Sequence, residues 1–152
     1  MPGQRNDRGE TMLELLIAVT IMAIAVVAVV GGLGTSILIS DVHRKQATAG
    51  DAVRNYAETM ENLVTAGGYK PCGSTSDYTT LGASFTPPAG YQDSVVTGSM
   101  RYWASGGGWQ NSCSTDTGLQ QLTLQVASSD GRASEQLVIV LRKRCGITDA
   151  LC

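Results

Sequence analysis

A single carboxylate and four thiols are the residues of this chain best placed to do chemistry. Glu14 is the only ionisable residue between Met12 and Ile39, an otherwise largely apolar run. A charged side chain at the centre of a membrane helix costs roughly 2.5–3.5 kcal/mol on insertion scales, so a plain anchor has no reason to carry one. The position calls for a counter-charge, because an opposite partner recovers much of what each ion loses in a low dielectric. The competing reading is geometric: Glu14 lies near the start of the run, close to the headgroups, and simply reaches water.

The cysteines, Cys72, Cys113, Cys145 and Cys152, all follow the apolar run. An even number on one side of a membrane anchor points to two disulfides in an oxidising, extracytoplasmic space. The favoured pairing is Cys72–Cys113 with Cys145–Cys152, which closes a small C-terminal loop over GITDAL. A rival pairing joins Cys113 to Cys145 across the open end of a hairpin and leaves Cys72 for Cys152. Zinc is disfavoured, because the chain has no C-x-x-C pair and its one histidine, His43, lies far from the thiols. No metal and no cofactor are expected.

Catalysis finds little support. His43 stands beside Arg44 and Lys45 and reads as a solvated residue next to a membrane surface, so no histidine-based triad can be assembled in the later part of the chain. Glu58 and Glu61 read as a solvated helix face, and Asp130 as a turn residue. The glycine-rich stretch Gly106–Gly108 has no following Lys-Ser/Thr and is no phosphate cradle. The expectation is a protein that is not an enzyme and has no catalytic residues. The net charge of −2 and a single short basic run, Arg142–Arg144, fall short of a nucleic-acid footprint. Tyr102, Trp103 and Trp109 are the candidates for ligand contact, with Trp109 on its glycine-rich loop the better surface candidate. Tyr102 and Trp103 should point to opposite faces of a strand, one of them into the core.

These residues need elements to hold them. The run from Met12 to Ile39 is long enough to span a bilayer as a helix, for which about 20 apolar residues suffice. Its glycines Gly31, Gly32 and Gly34 read either as a close-packed face between helices or as a soft segment. Beyond Ser40 the pattern becomes amphipathic: Ala49, Val53, Tyr56, Met60 and Leu63 recur at alternating spacings of four and three, opposite Asp51, Arg54, Glu58 and Glu61. Gly67-Gly68 supplies a stop. Tyr69 to Gln92 reads as loop. Ser94–Ala104, Leu119–Ser128 and Ser134–Arg142 read as strands, the last two joined by a hairpin turn at Ser129-Asp130-Gly131-Arg132. The stretch Gly106–Trp109 should join the first two strands. The fold class is α+β: a long N-terminal helix, half membrane-spanning and half amphipathic, packed on a three- to four-stranded antiparallel sheet.

The opening MPGQRNDRG carries Arg5 and Arg8 and is followed by Glu10-Thr11-Met12-Leu13-Glu14-Leu15-Leu16-Ile17. An ordinary secretory signal has a short apolar region with the cleavage site after it; here the plausible cut precedes a long one. The whole pattern resembles the class III signal of type IV pilins and pseudopilins, a family that shares the architecture just described. The resemblance covers about the first 30 residues. It implies that a prepilin peptidase cuts between Gly9 and Glu10 and that the new N-terminus at Glu10 is methylated. It also implies that Glu14, at the fifth mature position, works with Thr11 in filament assembly by neutralising the freed amine of a neighbouring subunit. In that setting the glycine cluster would be a segment that loosens when the subunit leaves the membrane.

The organisation expected is a cleaved leader over 1–9, a transmembrane or filament-core helix over 10–39, an amphipathic continuation over 40–67 and a disulfide-stabilised sheet head over 68–152. The function implied is a structural subunit, a minor pilin or pseudopilin, of a type IV pilus-like or type II secretion filament. Its partners would be prepilin peptidase, other pilin subunits, the assembly machinery and the cytoplasmic membrane, with nucleic acid only in a DNA-uptake filament. The alternative is a membrane-anchored extracytoplasmic binding module, for DNA or a cell-wall ligand, that forms no filament. Arg5 and Arg8 favour a cytoplasmic N-terminus, Arg44 and Lys45 oppose it, and the cysteines place the head outside.

Overall fold

The computed structural model describes the backbone of residues 8–144, with side chains from Thr11 onward. Cys145 and Cys152, and with them half of either disulfide scheme, lie outside the described residues. The chain divides into two compact units, Met1–Asp41 and Val42–Cys152, each taken by itself here.

One helix, α1, runs over Arg8–Leu63 and passes into a π-helical turn, Val64–Gly68. That turn closes where the sequence supplies its stop: Gly67 adopts a left-handed φ of 108° that would strain any residue with a Cβ. Within the first unit the helix is apolar all round, and Leu13, Leu16, Ile24 and Val27 are all exposed. The apolar stretch of 28 residues is about 42 Å long at 1.5 Å per residue, more than the roughly 30 Å of a bilayer core.

In the second unit the amphipathic pattern becomes a packed face. Ala49, Ala52, Val53, Tyr56, Ala57, Met60 and Val64 are buried, while Asp51, Arg54, Glu58 and Glu61 are exposed. This stripe covers one side of a five-stranded antiparallel sheet. The strands are β1 (Tyr91–Val95), β2 (Arg101–Trp103), β3 (Trp109–Gln110), β4 (Leu119–Ser128) and β5 (Ser134–Arg142). β4 is central and alternates strictly, with Leu122, Leu124 and Val126 fully buried against the helix. β5 lies along one side of it, from Leu119↔Arg142 to Ala127↔Ser134. β1 and β2 share the other side, paired to the two ends of β4 as Tyr91↔Ser128 through Val95↔Leu124 and as Arg101↔Gln121.

Three expectations need correction. The single strand expected over Ser94–Ala104 is two, because the chain turns at Val96–Ser99, where Ser99 N–H donates to the Val96 carbonyl and Gly98 takes a φ of 75°. The glycine stretch Gly106–Gly108 joins β2 to the short β3 rather than to the long central strand. The loop expected over Tyr69–Gln92 contains a helix, α2 (Thr75–Gly82), started by a capping box in which Ser74 and Asp77 satisfy each other's backbone N–H. α2 delivers Tyr78, fully buried, and Leu81 to the core.

Candidate membrane helix and assembly site

The functional residues expected near the N-terminus share one stretch of α1. Thr11, Glu14, Leu15, Ala18, Val19 and Met22 line a shallow groove on its surface, as spacings of three and four on a helix require. The backbone of Gly9 and Glu10 lies in the first turn, where N–H groups have no intrahelical acceptor. Glu14 is exposed, and among the described residues it makes no hydrogen bond or ion pair. The threonines of the apolar run behave differently. Thr20 Oγ1 donates to the carbonyls of Leu16 and Ile17 at 2.9 and 2.8 Å, and Thr35 Oγ1 to that of Gly32 at 2.9 Å. These hydroxyls are satisfied within their own helix, as lipid demands. Glu14, by contrast, has no such partner within its helix. Gly31, Gly32 and Gly34 have open space where a Cβ would stand, so nothing within the unit crowds them.

The head is held by three separate ties. Cys72 and Cys113 form a disulfide with their Cα atoms 5.6 Å apart, which fastens the Tyr69–Gly73 segment to the loop after β3. Beside it, the fully buried Gln120 on β4 accepts from the Tyr78 hydroxyl at 3.1 Å. Its Nε2 donates to the Lys70 carbonyl at 2.7 Å and to the Tyr69 hydroxyl at 2.9 Å. Tyr69 in turn donates to Asp116 at 2.7 Å, and Tyr102 to the Gly73 carbonyl at 2.8 Å. Burial pushes the Tyr78 hydroxyl up to about 12.

The third tie was invisible as a pair in the sequence. Lys45 on α1 forms an ion pair with Asp130 in the β4–β5 turn, and the Tyr91 hydroxyl donates to the Lys45 carbonyl at 3.3 Å. Asp130 also accepts from Ser128 Oγ at 2.7 Å and from the backbone N–H of Arg132 at 3.2 Å. The hydrogen bond from Lys45, with those from Ser128 and Arg132, holds its carboxyl well below the ordinary range. Asp130 is thus more than a turn former.

Among the ligand-contact candidates, Tyr102 packs against the core and Trp103 faces out, 36% exposed. Trp109 is half-buried and meets Trp103 edge-to-face at 5.3 Å, so Trp103, not Trp109, is the more exposed indole. Among the described residues no group of acids, histidines and cysteines could hold a metal ion.

Residues 4–38 match the family model for the prokaryotic N-terminal methylation motif. No curated protein and no solved structure matches the chain. The helix is the one among the described residues that is long and apolar enough to cross a membrane, and the matched motif lies along its start. An apolar helix carrying one unmatched carboxylate just after a basic opening is thus accompanied by the motif itself: the chain bears the type IV pilin and pseudopilin signal.

Proposed function

We propose that this chain is a prepilin, cut between Gly9 and Glu10, methylated on the new N-terminus, and assembled through α1 into a type IV pilus-like or type II secretion filament. The carrying observation is the methylation motif over residues 4–38, which supports a pilin-like or pseudopilin subunit. The unpartnered carboxylate of Glu14 adds a reason for assembly. Cleavage would create an α-amine four residues before it, and a positive amine on one subunit is the natural counter-charge for Glu14 on the next. In the apolar centre of a helix bundle each charge alone is unfavourable, so the pair sets axial register.

Before assembly the same helix serves as a single-pass anchor, with the basic opening in the cytoplasm and the disulfide-bonded head outside. The first turn is a reasonable place for a peptidase to act, because helix ends open most readily.

The test is Glu14→Ala in cells that make the filament. The chain should still lose its leader, while its incorporation into sheared filaments falls at least tenfold. Normal incorporation of that variant would remove charge pairing from the mechanism.

A further inference from the structure

The β2–β3 hairpin and the segment that follows it border a cleft of about 360 Å³ in the head. Ser105, Gln110, Ser112, Ser114 and Thr115 line it beside Tyr102, and no lining residue is charged at neutral pH. Its frame is tied on several sides. Cys113 is fastened to Cys72 by the disulfide. Within the hairpin, Ala104 N–H donates to the Gly108 carbonyl at 3.0 Å and Gly107 N–H to the Ala104 carbonyl at 2.9 Å. Thr117 Oγ1 donates to the Trp103 carbonyl at 2.6 Å, and the Tyr102 hydroxyl to that of Gly73 at 2.8 Å. The lining groups themselves are unspent. The four hydroxyls and the Gln110 amide make no side-chain hydrogen bond among the described residues. Thr79 and Thr80 on α2, by contrast, each donate to their own helix at 2.9 Å.

We propose that this cleft binds a neutral saccharide. The lining decides between ligand classes. A carboxylate or phosphate entering it would give up hydration and meet no counter-charge. An apolar ligand would strip water from four hydroxyls and an amide and return no hydrogen bond. Most small-molecule sites are mainly apolar with a few fixed polar groups, and here that proportion is reversed. Ser, Thr and Gln side chains each donate and accept, and the hydroxyls of a sugar do the same, so every group displaced from water finds a partner. The volume lies near the small end of the roughly 300–1,000 Å³ common for ligand sites, which suits one or two sugar rings of a longer chain. Because the disulfide and the hairpin bonds fix the frame beforehand, little ordering remains to oppose binding. The cleft belongs to the head alone, so the inference does not rest on how the N-terminal helix is processed or assembled.

The chain's two tryptophans make the test direct, since Trp103 lines the cleft and Trp109 lies 5.3 Å from it. The full chain, in a zwitterionic detergent with no sugar headgroup, is titrated with maltotriose, cellotriose, mannotriose and N-acetylchitotriose while indole fluorescence is recorded. At least one of the four should give a saturable change with a Kd of about 1 mM or tighter. Two variants locate it. Gly106 lines the cleft with no left-handed φ and nothing within 4 Å of where a Cβ would stand, so Gly106→Leu narrows the space without straining the hairpin. Gln110→Ala removes an exposed amide that holds nothing in place. Each should weaken binding, Gly106→Leu at least tenfold, with an unchanged circular-dichroism melt. No saturable change with any of the four sugars overturns the proposal. A change that both variants leave intact places the sugar elsewhere and also overturns it. A response to a deoxythymidine oligomer, with none to the sugars, would make the ligand a nucleic acid and refute it as well.

Discussion

Gln120 shows how much one side chain can organise. It is fully buried in a strand whose other inward residues are mostly apolar, yet its amide meets the Tyr78 hydroxyl, the Lys70 carbonyl and the Tyr69 hydroxyl. Replacing it by Leu keeps the volume and leaves those partners unsatisfied, so Gln120→Leu should lower unfolding stability by about 1–3 kcal/mol, read by denaturant titration. Asp130 makes a prediction of a different kind. Its folded pKa is lowered, mainly by the hydrogen bond from Lys45. The unfolded chain therefore binds the proton first as pH falls, and the stabilisation is present above the unfolded value of about 4 and lost progressively below it. Asp130→Asn should be less stable than the natural chain at neutral pH, and the two melting temperatures should converge as pH is lowered from about 5 towards 2. Parallel curves would show that the ion pair with Lys45 contributes nothing.

At the scale of elements, α2 packs onto α1 so closely that a hydrogen is required at one point. A Cβ at Gly82 would stand 2.6 Å from the Tyr56 hydroxyl and 2.9 Å from the Met60 terminal methyl, both on buried residues. Gly82→Ala should therefore destabilise the head by about 1–3 kcal/mol, measurable as a lowered melting temperature with an unchanged fold. The long helix and the β4–β5 hairpin were legible because each repeats its period many times: Ala49 to Leu63 by threes and fours, Leu122 to Val126 by twos. α2 was not, since Tyr78 and Leu81 are too few to show a period. Its signal was chemical instead, the Ser74-x-x-Asp77 capping box. β3 has only two residues and cannot show alternation at all. The break between β1 and β2 was announced by little more than Thr97-Gly98 within an otherwise strand-like run. The N-terminal methylation motif was legible because its residues are contiguous, whereas Lys45 and Asp130 are 85 positions apart and meet only through the fold.

Across the whole molecule the chain separates two kinds of surface. From Met12 to Ile39 the chain exposes mostly apolar side chains interrupted by a single carboxylate, Glu14. Residues from Val42 onward bury a core of Tyr56, Met60, Tyr78, Leu122, Leu124 and Leu141 and tie it with a disulfide, an amide network and an ion pair. The function proposed above, a subunit stored in a membrane and later withdrawn from it, accounts for that division, and the proposal depends on the leader being removed. Intact mass and N-terminal sequencing of the protein from native membranes test this most directly. A chain beginning at Glu10, with or without one added methyl, is the expected result; a chain beginning at Met1 or Pro2 would contradict it.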